Sequence, residues 1–158
     1  MAEQAHERRT DEVILQRTAK LLGGRSLLKR KLENPIDVHE IVSEGLPPGS
    51  LTHLLKALRV LRRDADLEQV VGMSVRTMQR LGGRSKPLSP EQSGRTVEFA
   101  KVLARATEIF GSQDEAERWM KRPAVGLNRK PPIELLTTNA GADLVEDYLT
   151  RLEYGVYT

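Results

Sequence analysis

The stretch Leu67-Glu68-Gln69-Val70-Val71-Gly72-Met73-Ser74-Val75-Arg76-Thr77-Met78-Gln79-Arg80-Leu81 decides how the rest of the chain is read. A helix-turn-helix needs a short helix, a tight turn often built on glycine, and a second helix packed across the first. Placing Gly72 at the turn puts Leu67, Val71, Met73, Met78 and Leu81 at the five apolar offsets that hold such a pair together. Ser74 then caps the second helix, whose outer face presents Ser74, Arg76, Thr77, Gln79 and Arg80, with Arg84 just beyond. These residue types suit a DNA groove. Arg can reach guanine O6 and N7, Gln can reach adenine N6 and N7, and Ser or Thr can hold a phosphate. Arg59, Arg62 and Arg63 precede the motif and are candidates for backbone contacts. Glu68 departs from the pattern, because a small residue usually stands there to let the helices approach. The plain alternative is a helical hairpin with a solvated basic face, or a helix-turn-helix turned into a dimerisation or adaptor module.

Outward from this segment the pattern is helical almost throughout. Upstream, Thr10 is expected to cap a first helix with Val13, Ile14, Leu15, Leu21 and Leu22 on its apolar face, ending at Gly23-Gly24. Residues 25–33 are basic and less regular. Asn34-Pro35 is a cap followed by a first-turn proline, and that helix ends at Gly45. Leu51, Leu54, Leu55 and Leu58 form the next stripe. Downstream, Ser89-Pro90-Glu91-Gln92 reads as a capping box opening a long helix to about Phe110. Its apolar arc is wider than a normal stripe, so it is either central in a bundle or part of an interface. Phe99, Leu103 and Phe110 are the candidate dimerisation residues on it. Ser112-Gln113-Asp114-Glu115 reads as another capping box, for a helix through Trp119. The last helix is expected over about 140–153, with Leu144, Val145, Tyr148, Leu149 and Leu152 on one side.

No strand alternation is convincing, so the fold class is all-α: a helix-turn-helix DNA-binding domain followed by a second helical domain. Three segments are expected: an N-terminal helical extension at 1–34, the helix-turn-helix domain at 35–87, and a C-terminal domain with its tail at 88–158. Charge divides at Gly82–Pro87. Residues 1–87 hold 16 basic and 11 acidic groups, net +5, and residues 88–158 hold 9 and 11, net −2.

Composition removes several classes of function. The 158 residues contain no cysteine, which excludes disulfides, thiolate metal sites and Cys nucleophiles. The histidines, His6, His39 and His53, do not fall at a zinc-binding spacing. Neither glycine pair sits in a phosphate-loop context. An enzyme is therefore disfavoured, and no cofactor or metal is expected. The lack of an apolar run of 18 residues and of an apolar leader points to a cytoplasmic protein without a membrane span. The ending, Tyr154-Gly155-Val156-Tyr157-Thr158, holds two of the three tyrosines. Such a tail is either an interface anchor or folds back on its own bundle.

The chain resembles the Xre/MbcA/ParS family of bacterial type II antitoxins over roughly residues 35–158. The resemblance rests on Val71–Arg80, Leu88-Ser89-Pro90-Glu91, Ala116–Met120, Gly126–Leu136 and, most specifically, Val145–Tyr157. Pro131 departs from the family, which more often has a small polar residue there. The resemblance implies operator DNA and a cognate toxin as partners, the toxin commonly a RES-domain protein that consumes NAD, and a homodimer. It also implies that the C-terminal end approaches the toxin's active site, which makes Tyr154, Gly155, Val156, Tyr157 and Thr158 the candidate toxin-binding residues. The alternative is a stand-alone helix-turn-helix transcriptional regulator with no toxin partner.

Overall fold

The computed structural model describes residues 1–62, 65–80 and 86–155. Ten α-helices follow in order among these residues: α1 Ala2–Leu21, α2 Gly24–Leu28, α3 Pro35–Glu44, α4 Pro48–Ala57, α5 Ala65–Val71, α6 Val75–Arg80, α7 Pro90–Phe110, α8 Gln113–Lys121, α9 Pro132–Leu135 and α10 Asn139–Glu153. A single 3-10 turn, Val125–Leu127, lies between α8 and α9. The described residues contain no β-strand, only an isolated antiparallel bridge between Ala124 and Lys130.

Helix starts follow local chemistry. The Asn34 side chain accepts from the N–H of Ile36 and Asp37, while Asp37 accepts from the Asn34 N–H, closing a capping box at α3. Ser89 and Gln92 do the same at α7. At α8 only half of the expected box forms. Ser112 Oγ accepts from the Glu115 N–H at 3.2 Å, but the Glu115 carboxylate turns outward to Arg118 at 2.6 Å. Thr10 is not a cap. Helix α1 begins at Ala2, because Ala, Glu, Gln and Arg before Thr10 are strong helix formers. The Thr10 hydroxyl instead donates to the His6 carbonyl at 3.0 Å.

The centre of the molecule is α7, which packs against α1, α3, α5, α8 and α10. Phe99, Ala100, Val102, Leu103, Ala104 and Ala106 are fully buried, each large side chain contributing about 1.5–3 kcal/mol. This resolves the wide apolar arc. Phe99 and Leu103 are enclosed by their own chain, so the expectation that these two side chains form a dimer surface is corrected. Phe110 is half-buried against Trp119, with ring centroids 5.2 Å apart. Leu144 is also corrected. It is 53% exposed, because the buried face of α10 runs through Gly141, Ala142, Val145 and Leu149 instead.

The N-terminal extension is docked rather than separate. Ile14, Leu15, Leu21, Leu22, Leu28 and Leu32 join the same hydrophobic cluster as the cores of the other two segments. Arg17 pairs with Glu108 across the α1–α7 contact.

Candidate nucleic-acid interface and C-terminal tail

Helices α5 and α6 form the expected pair. Leu67, Val71 and Met78 are buried and Met73 is half-buried; Leu81 lies outside the described residues. The turn is made at Gly72, whose φ of +81° favours glycine. A Cβ there would also meet Arg95 Nη1 at 3.2 Å. The same guanidinium donates to Gln69 O at 3.4 Å and pairs with Glu91 at 3.2 Å, so α7 supports the turn from beneath. Ser74 Oγ accepts from the Thr77 N–H at 3.1 Å, as an N-cap should.

Glu68 acquires a role that spacing did not reveal. Its carboxylate accepts from the Val75 N–H at 2.9 Å, so the first helix caps the second. A carboxylate at a helix N-terminus is favoured by the exposed amides and the helix dipole.

The outer face of α6 presents Ser74, Arg76, Thr77, Gln79 and Arg80, all exposed. Arg84 and Arg63 lie outside the described residues. The exposed Arg62 donates from its guanidinium to Leu58 O at 3.1 Å and Lys56 O at 2.7 Å and so closes the C-terminus of α4. Arg59 stays 74% exposed, beside Asp114 at 3.6 Å.

A buried carboxylate sets the approach to α5. Glu117 of α8 is fully buried. It accepts from the backbone N–H of Arg59, Val60 and Leu61 at 3.0 Å each, and from Gln113 Nε2 at 3.0 Å. Lys121 of α8 reaches Asp66 of α5 at 2.9 Å. The only cue in sequence was a charged residue between Ala116 and Met120, on the apolar face of α8.

On the opposite side of α7, Arg105 holds α10. It donates to Glu146 Oε2 at 2.6 Å, Thr150 Oγ1 at 2.7 Å and Glu153 Oε2 at 3.1 Å. Burial opposes its charge, but the hydrogen bonds it donates to Glu146 and Glu153, with their negative charges, outweigh it and hold the guanidinium pKa above its ordinary value. The tail leaves α10 from this anchored end. Tyr154 is 56% exposed, and its hydroxyl donates to Glu7 of α1 at 2.8 Å. That hydrogen bond, chiefly, raises the phenol pKa. Gly155 turns the chain with φ +70°. Val156, Tyr157 and Thr158 lie outside the described residues. Trp119 is buried, stacked near Tyr148 at 6.3 Å.

This arrangement defines a helix-turn-helix protein whose α5–α6 pair and second helical module share one central helix. The model of the antitoxin Xre-like helix-turn-helix domain matches residues 37–101, and that of the antitoxin Xre/MbcA/ParS C-terminal toxin-binding domain matches residues 105–155. The chain belongs to the Xre/MbcA/ParS family of antitoxins. Similar proteins named Antitoxin Xre occur in Photorhabdus laumondii, 28% identical over 75% of this chain and 80% of the relative, and in Yersinia enterocolitica, 34% identical over 60% and 64%. A third, from Pseudomonas putida, is 26% identical over 79% of this chain and 76% of the relative. The two matched ranges meet inside α7, between residues 101 and 105, while the charge division falls earlier, at residues 82–87. Residues 1–36 precede both ranges.

Proposed function

We propose that this protein is an antitoxin that neutralises a cognate toxin enzyme and binds operator DNA to repress its own operon. The observation that carries the reading is the joining of two modules through α7: an exposed Ser74–Arg80 helix face suited to base edges, and a helical domain matching a toxin-binding family. The toxin is a RES-domain protein that consumes NAD, an assignment supported by the sequence resemblance. Tyr154–Thr158 enter its active site and block it sterically. The exposed position of Tyr154 and Gly155, at the end of a helix tied down by Arg105, supports this, and entry requires the Tyr154 hydroxyl to leave Glu7 of its own α1. The antitoxin supplies no catalytic group of its own. It works in the cytoplasm, where its operator DNA lies. The homodimer implied by the resemblance uses a surface other than Phe99 and Leu103.

On the DNA side, Arg76→Ala and Arg80→Ala each weaken operator binding by about 1–3 kcal/mol if they read bases. Unchanged affinity in both, measured by fluorescence anisotropy, removes the recognition-helix assignment. On the toxin side, deletion of Tyr154–Thr158 abolishes protection of cells expressing the toxin and leaves DNA binding intact. A truncated protein that still protects disproves the plug.

A further inference from the structure

The basic segment ahead of the helix-turn-helix is not used by the reading above. From Val13 to Leu32 the chain holds six cations and no carboxylate. The fold neutralises two of them: Arg17 pairs with Glu108, and Arg30 bridges Glu40 at 2.9 Å and Glu44 at 2.7 Å. Lys20, Arg25 and Lys29 have no carboxylate partner among the described residues, and Lys31 has only Glu33, at a loose 3.9 Å. The turn at Gly23-Gly24 folds α2 back beside α1, so Lys20, Arg25, Arg30 and Lys31 converge with His53 of α4 around a cleft of about 500 Å³, also lined by Glu12 and Glu33. His53 Nδ1 lies 3.1 Å from Leu21 O, which orients the ring at the cleft.

Helix α4 links this cleft to the DNA-reading helix. It packs against α2 and also against α6. Its exposed residues include His53 and Lys56, three apart and so on one side of the helix. Its ten residues span about 15 Å, so cleft and recognition helix are held at a fixed, short separation on one rigid element. Cations left without partners repel one another, and a polyanion running past them relieves that repulsion.

We propose that this cleft, through Lys20, Arg25 and Lys31, grips the phosphate backbone of the DNA flanking the segment read by α6. The inference rests on the DNA-binding reading of α6 and assigns the N-terminal extension a role in it. The contact carries no base information. It adds affinity and lengthens the footprint.

The test uses the full chain and a duplex taken from upstream of its own gene, with binding followed by anisotropy over a potassium chloride series. The triple variant Lys20→Ala/Arg25→Ala/Lys31→Ala lowers the slope of log Kobs against log [salt] by about 2–3 and weakens low-salt binding by about tenfold or more. Its preference for the upstream duplex over a scrambled one is unchanged. Shortening the duplex flanks weakens the wild type and leaves the triple variant unaffected. A wild-type slope in the triple variant overturns the proposal, as does an equal response of both proteins to shortening. If the triple variant instead loses toxin binding while its salt slope is intact, the cleft serves the protein partner and the proposal is wrong. Failure of the cleft alone is recognised by Arg76→Ala and Arg80→Ala still abolishing sequence preference. If the wild type shows no preference for its upstream DNA, the reading of α6 fails and the cleft proposal with it.

Discussion

Two carboxylates show how much a single residue can hide. Glu68 breaks the small-residue pattern of its motif, yet its side chain is the acceptor that caps α6. Glu117 looks like any helix-face acid, yet it is fully buried under three consecutive backbone N–H groups. A carboxylate so placed matches several donors at once, and removing it leaves buried amides without an acceptor. Glu117→Ala therefore destabilises the fold by about 3 kcal/mol, whereas Glu117→Gln, which keeps one acceptor oxygen, costs about 1 kcal/mol. Urea unfolding of both variants checks this. Equal losses would mean that packing, not the N–H cluster, sets the value of the residue. Capping residues such as Asn34, Ser74 and Ser89 were legible in the sequence because each acts on amides two or three positions away. Glu117 acts on residues 56–58 positions away, and no local pattern encodes that.

At the scale of elements, the contact of α7 with α10 is electrostatically mixed. Arg105 gathers Glu146 and Glu153, while Glu98 of α7 faces the same Glu146. Glu146 Oε1 is buried with no hydrogen-bond partner, and a protonated Glu98 can share a hydrogen bond with the Glu146 carboxylate. Burial first, then the neighbouring Glu146 charge, raises the Glu98 pKa, and Asp143 adds to the effect while Lys101 opposes it. The folded state thus binds this proton more tightly than the unfolded chain. The resulting stability is fully present below the ordinary carboxylate pKa and is lost as pH rises through the raised value. Glu98→Gln, always neutral, should melt above the wild type at neutral pH, with the gap closing as pH falls. A pH-independent difference in thermal melting would exclude a titrating Glu98. The width of α7's apolar arc was visible in the sequence and left two readings open, bundle centre or interface. Packing chose the first, because α1, α3, α5, α8 and α10 together cover it.

For the whole molecule, the sequence by itself determined the all-α class, the helix-turn-helix with its turn at Gly72, most helix ends, and the family. Those features depend on hydrophobic period, capping and turn chemistry within a few residues, and they act before distant segments meet. The tertiary structure alone decided how the parts are joined. It docked α1 onto α7, brought Tyr154 to Glu7, locked the segment before α5 onto Glu117, and enclosed Phe99 and Leu103. It also sorted the N-terminal cations into those neutralised by Glu108, Glu40 and Glu44 and those left facing a cleft. Each of these outcomes depends on which surfaces meet across tens of residues. Burial and long-range hydrogen bonding settle that, and they become specific only when the chain is packed.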